Sequence, residues 1–106
     1  MFARVVTMQL KPSLAKEFPV AFEKEILPLL KRQAGFVQEL LLVAPETKEM
    51  MAIGLWESKG CAEIYNRELY PMVEMMWGKF IEGVPIIQNY EEKSAAFHET
   101  AIPATA

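Results

Sequence analysis

The chain has 106 residues, 52% of them apolar and 24% charged, with a net charge of −3. That describes one ordinary globular domain able to bury a core without staples. The mild negative balance gives no electrostatic footprint for nucleic acid or an anionic membrane. A single cysteine, Cys61, excludes an intrachain disulfide and a Cys-based zinc site, and no apolar run approaches the ~20 residues that span a bilayer.

Met1-Phe2-Ala3-Arg4 runs straight into strand-like sequence, without the basic head and cleavage site of a secretory signal, which predicts a cytoplasmic protein in a reducing compartment. Phe2 to Leu10 reads as a strand centred on Val5 and Val6. Lys11-Pro12-Ser13 ends it, and Ser13 is expected to accept from the free amides of a following helix. Leu14, Phe18, Phe22, Ile26 and Leu30 recur every fourth residue and define one helical face. Two prolines interrupt that helix. Pro19 fits near the first position of the main segment, and Pro28 removes the donor to the Lys24 carbonyl and predicts a kink. Lys31 and Arg32 suit the negative end of the helix dipole, and Gly35 is a left-handed stop beyond them.

Phe36 to Ala44 and Met50 to Glu57 form the next two strands, joined as a hairpin by the polar turn Pro45 to Glu49. Ser58 is placed to cap a helix running to about Leu69. Another helix is expected from Tyr70 or Pro71 to about Ile81, with Met72, Val73, Met76, Trp77 and Phe80 as its apolar stripe. Gly83 and Pro85 punctuate, and Val84 to about Lys93 reads as the fourth strand. The expected domain covers residues 1–93, with a partly flexible tail over 94–106.

The order β-α-β-β-α-β predicts an α+β fold of ferredoxin-like type, a four-stranded antiparallel sheet with helices on one face. Alternation puts Phe36, Leu40 and Leu42 on one side of the second strand and Val37, Leu41 and Val43 on the other. The third strand divides Met51, Ile53 and Leu55 from Ala52, Gly54 and Trp56. A half-solvated antiparallel strand would carry polar residues on one parity, and these do not. The helix-free face is therefore expected to be buried by a second copy, giving a homodimer; such obligate interfaces bury ~2,000 Å² or more.

Strand, helix, Gly35-Phe36, hairpin, then Trp56-Glu57-Ser58-Lys59 opening a helix resembles the antibiotic biosynthesis monooxygenase-type domain of the dimeric α+β barrel superfamily, over about residues 2 to 92. The resemblance implies a barrel made of two protomers' sheets, with a pocket between each sheet and its own helices. Members of that family include cofactor-free monooxygenases of phenols and quinols and haem-degrading monooxygenases, and others have no established reaction; the resemblance implies no cofactor for the first kind. The residues depart from both monooxygenase patterns. The haem-degrading pattern has Asn, Trp and His where this chain has Val6, Tyr65 and Met75, so no axial haem ligand is kept. The polyketide-oxidising pattern has Asn, Tyr and Arg where this chain has Ala52, Ala62 and about Met76. Trp56 is kept, and Tyr65 stands where many quinol-oxidising members have His.

The candidate pocket accordingly comprises Val6, Phe22, Ala52, Trp56, Tyr65, Met76 and Trp77. Trp56 beside Ala52 and Gly54 reads either as a wall for a planar apolar ligand or as a core residue covering small neighbours. Tyr65, on the helix face of Cys61 and Leu69, is the one catalytic candidate, as a donor to a phenolate or quinone oxygen; a backbone carbonyl is the other partner it could take. Arg4, on the parity of Val6 and Met8, is expected at a rim salt bridge rather than on a ligand. Met72, Met75, Met76 and Trp77 suit either a pliable aromatic-binding wall or ordinary core. Cys61 is expected as a small buried hydrophobe. His98 is the only histidine, and no metal site is expected around it; Glu91, Glu92 and Glu99 are expected to be solvated. The function implied is a cofactor-independent monooxygenase of a small aromatic or quinol-type substrate. Its competitor is a non-catalytic dimeric barrel that binds a small hydrophobic metabolite or serves as an association module.

Overall fold

The computed structural model describes residues 1–96, so His98 and Glu99 and most of the predicted tail lie outside the described residues. The first strand, β1 (Phe2–Leu10), leads through a short 3-10 turn at Pro12–Leu14 into α1 (Glu17–Ala21). A π-turn at Phe22–Ile26 follows, and then α2 (Leu27–Lys31). The hairpin strands are β2 (Phe36–Val43) and β3 (Glu49–Trp56). Two helices, α3 (Lys59–Glu68) and α4 (Tyr70–Trp77), lead through a 3-10 turn at Gly78–Phe80 to β4 (Ile81–Glu91). The sheet is antiparallel throughout, in the order β2-β3-β1-β4. This is the ferredoxin-like arrangement, with the helices covering one face.

Local chemistry accounts for the boundaries. The π-turn falls directly before Pro28, where the ladder has lost a donor, and the Leu27 amide reaches back to the Phe22 carbonyl. Ser58 caps α3 by accepting from the Cys61 amide at 3.2 Å. Ser13 caps nothing: it sits inside the 3-10 turn, and α1 begins without a side-chain cap. The fourth strand starts earlier than the glycine and proline predict. Gly83, at φ +74°, and Pro85 both lie inside β4. An edge strand tolerates them because one side of its ladder is unused, and the register shift opposite Thr7 and Gln9 takes up the slack.

The helical face expected from the sequence is buried as Phe18, Phe22, Ile26 and Leu30. From the sheet, Phe2, Val6, Met8 and Leu10 of β1 and Met50, Ala52 and Trp56 of β3 meet it. Val73, Trp77 and Phe80 close the core, but Met72 is exposed and Met75 is 83% exposed. The methionine cluster is therefore mostly a solvent-facing surface rather than a pocket wall.

The second strand is phased differently from its simple alternation. A bulge between Phe36 and Gln38 sets Phe36 opposite Trp56 and Gln38 opposite Leu55. Phe36 thus shares the helix-facing side with Glu39, Leu41 and Val43, while Val37 joins Leu40 and Leu42 on the other side, because a bulge adds one residue and reverses the parity behind it. The helix-free face carries an apolar patch among polar neighbours such as Thr7, Gln38 and Gln88. Leu40, Leu42, Met51, Ile86 and Tyr90 are all exposed there.

Gly35 joins the two layers at φ +81°, and a Cβ at that position would stand 2.4 Å from Cys61 Sγ and 2.7 Å from Cys61 Cβ. Left-handed backbone and close approach act together here. Gly35→Ala is expected to cost about 2 kcal/mol or more, read as a fall in the urea midpoint. Adding Cys61→Ala should recover only part of it, since the Cβ contact and the backbone strain both remain.

Candidate functional site

Between the sheet and the helices lies a narrow cavity with about 10 Å³ of free volume, room for roughly one water. Of the residues singled out from the sequence, Val6, Phe22, Ala52, Trp56, Tyr65 and Trp77 all line it, and Met76 does not. Five further residues complete it: the apolar Ile26 and Leu30, and Arg4, Glu39 and Gly54 from the sheet. The chamber is thus aromatic-walled but carries a positive and an acidic side chain.

The walls hold one another. Trp56 stacks on Tyr65 with ring centroids 5.0 Å apart, and Phe36 meets Trp56 edge-on at 5.5 Å. Tyr70 bridges onward to Tyr65 at 6.2 Å and to Trp77 at 5.8 Å. The indole nitrogen of Trp77 is buried with no protein acceptor, which leaves one donor unspent in the layer.

Arg4 is 5% exposed and does not form the rim ion pair expected of it. Its inward parity on β1 carries the guanidinium under the helices. There it donates through Nη2 to Asn66 Oδ1 at 2.6 Å and lies over the Tyr70 ring at 4.0 Å and the Tyr65 ring at 5.4 Å. These are a charge-assisted hydrogen bond and cation–π contacts. Alternation alone placed Arg4 on the buried parity, but Asn66, far along the chain on α3, had no local signature.

Glu39 points inward on the unbroken alternation it shares with Leu41 and Val43. It pairs with Gly54 across the hairpin, and a Cβ on Gly54 would come within 2.8 Å of Glu39 Oε1 and 3.3 Å of Trp56 Nε1. The glycine thus makes room for the carboxyl between strand and indole. Burial pushes the Glu39 carboxyl up to about 8, and the nearby Arg4 charge only partly offsets that. The sequence signal was present, one acidic residue on the parity of Leu41 and Val43. Tyr65 and Tyr70 are both raised, chiefly by burial, so both stay neutral hydroxyls near pH 7.

A second, open cleft of about 510 Å³ adjoins the chamber. Arg4 lines both spaces, with Lys59, Glu63 and Asn66 of α3 and Asn89 and Glu91 of β4 around the outer one. Arg4 is the residue that the aromatic interior and the solvent-reachable mouth have in common.

No family model and no curated protein matches this sequence. Solved structures do match along nearly the whole chain. A monooxygenase of Streptomyces coelicolor from the gene ActVA-Orf6, in complex with nanaomycin D, is 14% identical with TM-score 0.75 over 92% of each chain. A proposed antibiotic biosynthesis monooxygenase of Deinococcus radiodurans is 12% identical with TM-score 0.74, over 94% of this chain and 100% of that one. Another, of Caulobacter crescentus, is 18% identical with TM-score 0.72, over 88% of this chain and 90% of that one. The chain has the fold of the antibiotic biosynthesis monooxygenase-type domain. Within that fold, the polar pair Arg4 and Glu39 is what this sequence installs between sheet and helices.

The raised Glu39 has a consequence for stability. Its folded pKa of about 8 lies above its ordinary 4.5, so the unfolded chain releases this proton first as pH rises. The contribution of Glu39 is undiminished below about pH 4.5 and declines progressively up to about pH 8. Glu39→Gln is expected to be more stable than the parent at pH 8, by several degrees in Tm, and close to it at pH 4.5. Equal gaps at the two pH values in thermal denaturation would contradict the burial of this carboxyl.

Proposed function

We propose that this chain is a cofactor-independent monooxygenase of a small aromatic or quinol-type substrate, with Glu39 as the base. The observation that carries the reading is the placement of Glu39 and Arg4 together in an aromatic-walled chamber, where burial raises the carboxyl to about 8. A base of that strength matches the acidity of an activated phenol or anthrone near neutral pH. Tyr65 supplies a donor for the oxyanion that proton removal creates. The deprotonated substrate then reduces O₂ itself. For a substrate methylene, carbon gains one oxygen atom and gives up both hydrogens. The hydroperoxide formed first loses water, its O–O bond breaks, and a carbonyl remains, so no outside reductant is needed.

A free volume of about 10 Å³ admits no such substrate without movement. Arg4 is the wall shared with the open cleft, so its displacement is the entry step this reading requires. The filled interior is also the specific observation favouring the competing reading, a non-catalytic barrel that binds a small apolar metabolite or only associates.

Oxygen uptake with a panel of hydroquinones and anthrones separates the two. Glu39→Gln is expected to lower kcat by about 10²–10⁴-fold, and Tyr65→Phe by less, at unchanged assembly state. The parent rate should climb as pH approaches 8, where Glu39 ionises. No uptake across the panel, together with tight binding of an apolar dye, would establish the binding module instead.

The assembly proposed with this function is a homodimer through the helix-free face. Leu40, Leu42, Met51, Ile86 and Tyr90 form an apolar sheet surface larger than isolated exposed side chains explain. Sedimentation at micromolar concentration is expected to give a dimer, and Leu42→Glu to dissociate it. A stable lone protomer in the parent would remove the dimer from the proposal.

A further inference from the structure

The chamber has a charge account that its own residues do not close. Arg4 carries a permanent positive charge at 5% exposure, and among the described residues it enters no ion pair. A buried guanidinium without a counterion is costly, and native proteins pair such charges. Among the described residues the polar side chains that engage it are neutral, the amide of Asn66 and the hydroxyl of Tyr70. Tyr70 and Tyr65 offer ring faces, which soften the charge without neutralising it. Glu39 is the nearest acid from the sheet side, but burial leaves it mostly protonated at pH 7. Tyr65 and Tyr70, from the helix side, stay neutral as well.

The cleft beyond Arg4 has its own charges, and these are already matched. Glu63 lies 3.9 Å from Lys59, and Glu91 lies 3.0 Å from Lys93. Asn66 and Asn89 add neutral polar groups. The guanidinium is thus the unneutralised charge of a cleft of about 510 Å³, a size that accepts a small organic molecule.

We infer that the Arg4 cleft is an anion-recognition subsite, and that the molecule this protein takes is an aromatic acid whose carboxylate replaces Asn66 on the Arg4 guanidinium. A planar fork of donors suits a carboxylate in two-point contact, and only one of its nitrogens is engaged by Asn66. Drawing Arg4 toward the cleft also moves the wall that cleft and chamber share, so recognition of the acid and access for its ring are one event. The inference rests on the proposed function for calling the bound acid a substrate. Binding itself requires no turnover.

The test is equilibrium binding without added substrate turnover, by calorimetry and by quenching of Trp56 and Trp77 fluorescence. The probes are 4-hydroxybenzoate and its uncharged analogue 4-hydroxybenzamide. At pH 7 the acid is expected to bind the parent about tenfold or more tighter than the amide. Asn66→Asp, nearly isosteric, gives Arg4 an internal carboxylate and should abolish the preference while the protein stays folded. Arg4→Gln should abolish it too. The preference should also shrink above pH 8, where Glu39 ionises and competes for Arg4. Equal binding of acid and amide, no binding of either at millimolar concentration, or a preference that survives Asn66→Asp would each overturn the inference. Anion-selective binding without oxygen uptake would uphold it and reject only the oxygenase reading.

Discussion

A positive charge sits where a greasy layer should be. Arg4 projects from the central strand β1 into the sheet–helix interface, and the interior is arranged around accommodating it. Tyr70 gives it a ring face at 4.0 Å, Asn66 gives it an acceptor at 2.6 Å, and Glu39 waits across the chamber. An isolated charge in so apolar a place would cost several kcal/mol, and neutral partners recover only part of that. The aromatic chain Phe36–Trp56–Tyr65–Tyr70–Trp77 is the structural answer. Its rings fill volume and present negative faces, so packing and charge stabilisation come from the same side chains.

Regular hairpin register brings the second half of the polar pair into place, and two local features fit the strand pair around it. Without the bulge between Phe36 and Gln38, Phe36 could not share a face with Glu39, because a strict strand alternates. Without Gly54 opposite, the carboxyl would meet a Cβ at 2.8 Å. Both devices lie in the hairpin, and neither adds to the stability of its ladder. They are the features to expect where a sheet makes room for a functional group at the expense of regularity.

The architecture was legible in the sequence because it depends on patterns that are local and redundant. The spacing of Phe18, Phe22, Ile26 and Leu30 identified a buried helix face, and the parity of Ala52, Gly54 and Trp56 identified the inner side of β3. Six of the seven proposed pocket residues line one cavity for the same reason. What escaped depended on a single phase or a distant partner. One extra residue at the bulge re-sorted Phe36 and Val37, while Glu39 kept the parity of Leu41 and Val43 and was passed over as a single acid in an apolar row. Arg4 was placed on the right parity yet assigned to the rim, since the acceptor that holds it inside lies on another element. Met76 failed as a wall because α4 turns Val73 and Trp77 inward, leaving Met76 at the margin of the core.

The choice of base follows from how burial acts on different acids. Removing water raises both a phenol and a carboxyl, but from different starting points. A tyrosine raised from 10 is no base at any pH the fold would meet, so Tyr65 is confined to donating. A carboxyl raised to about 8 becomes a base of useful strength within the neutral range, and it is neutral just below that range. Arg4 adds a constraint on the same equilibrium. Any anion that settles on the guanidinium withdraws the charge that holds Glu39 down, and so makes Glu39 a stronger base. On the proposed reading, occupancy of the cleft and ionisation of Glu39 are coupled through one side chain: a filled cleft raises the carboxyl further and moves upward the pH at which it can take a proton.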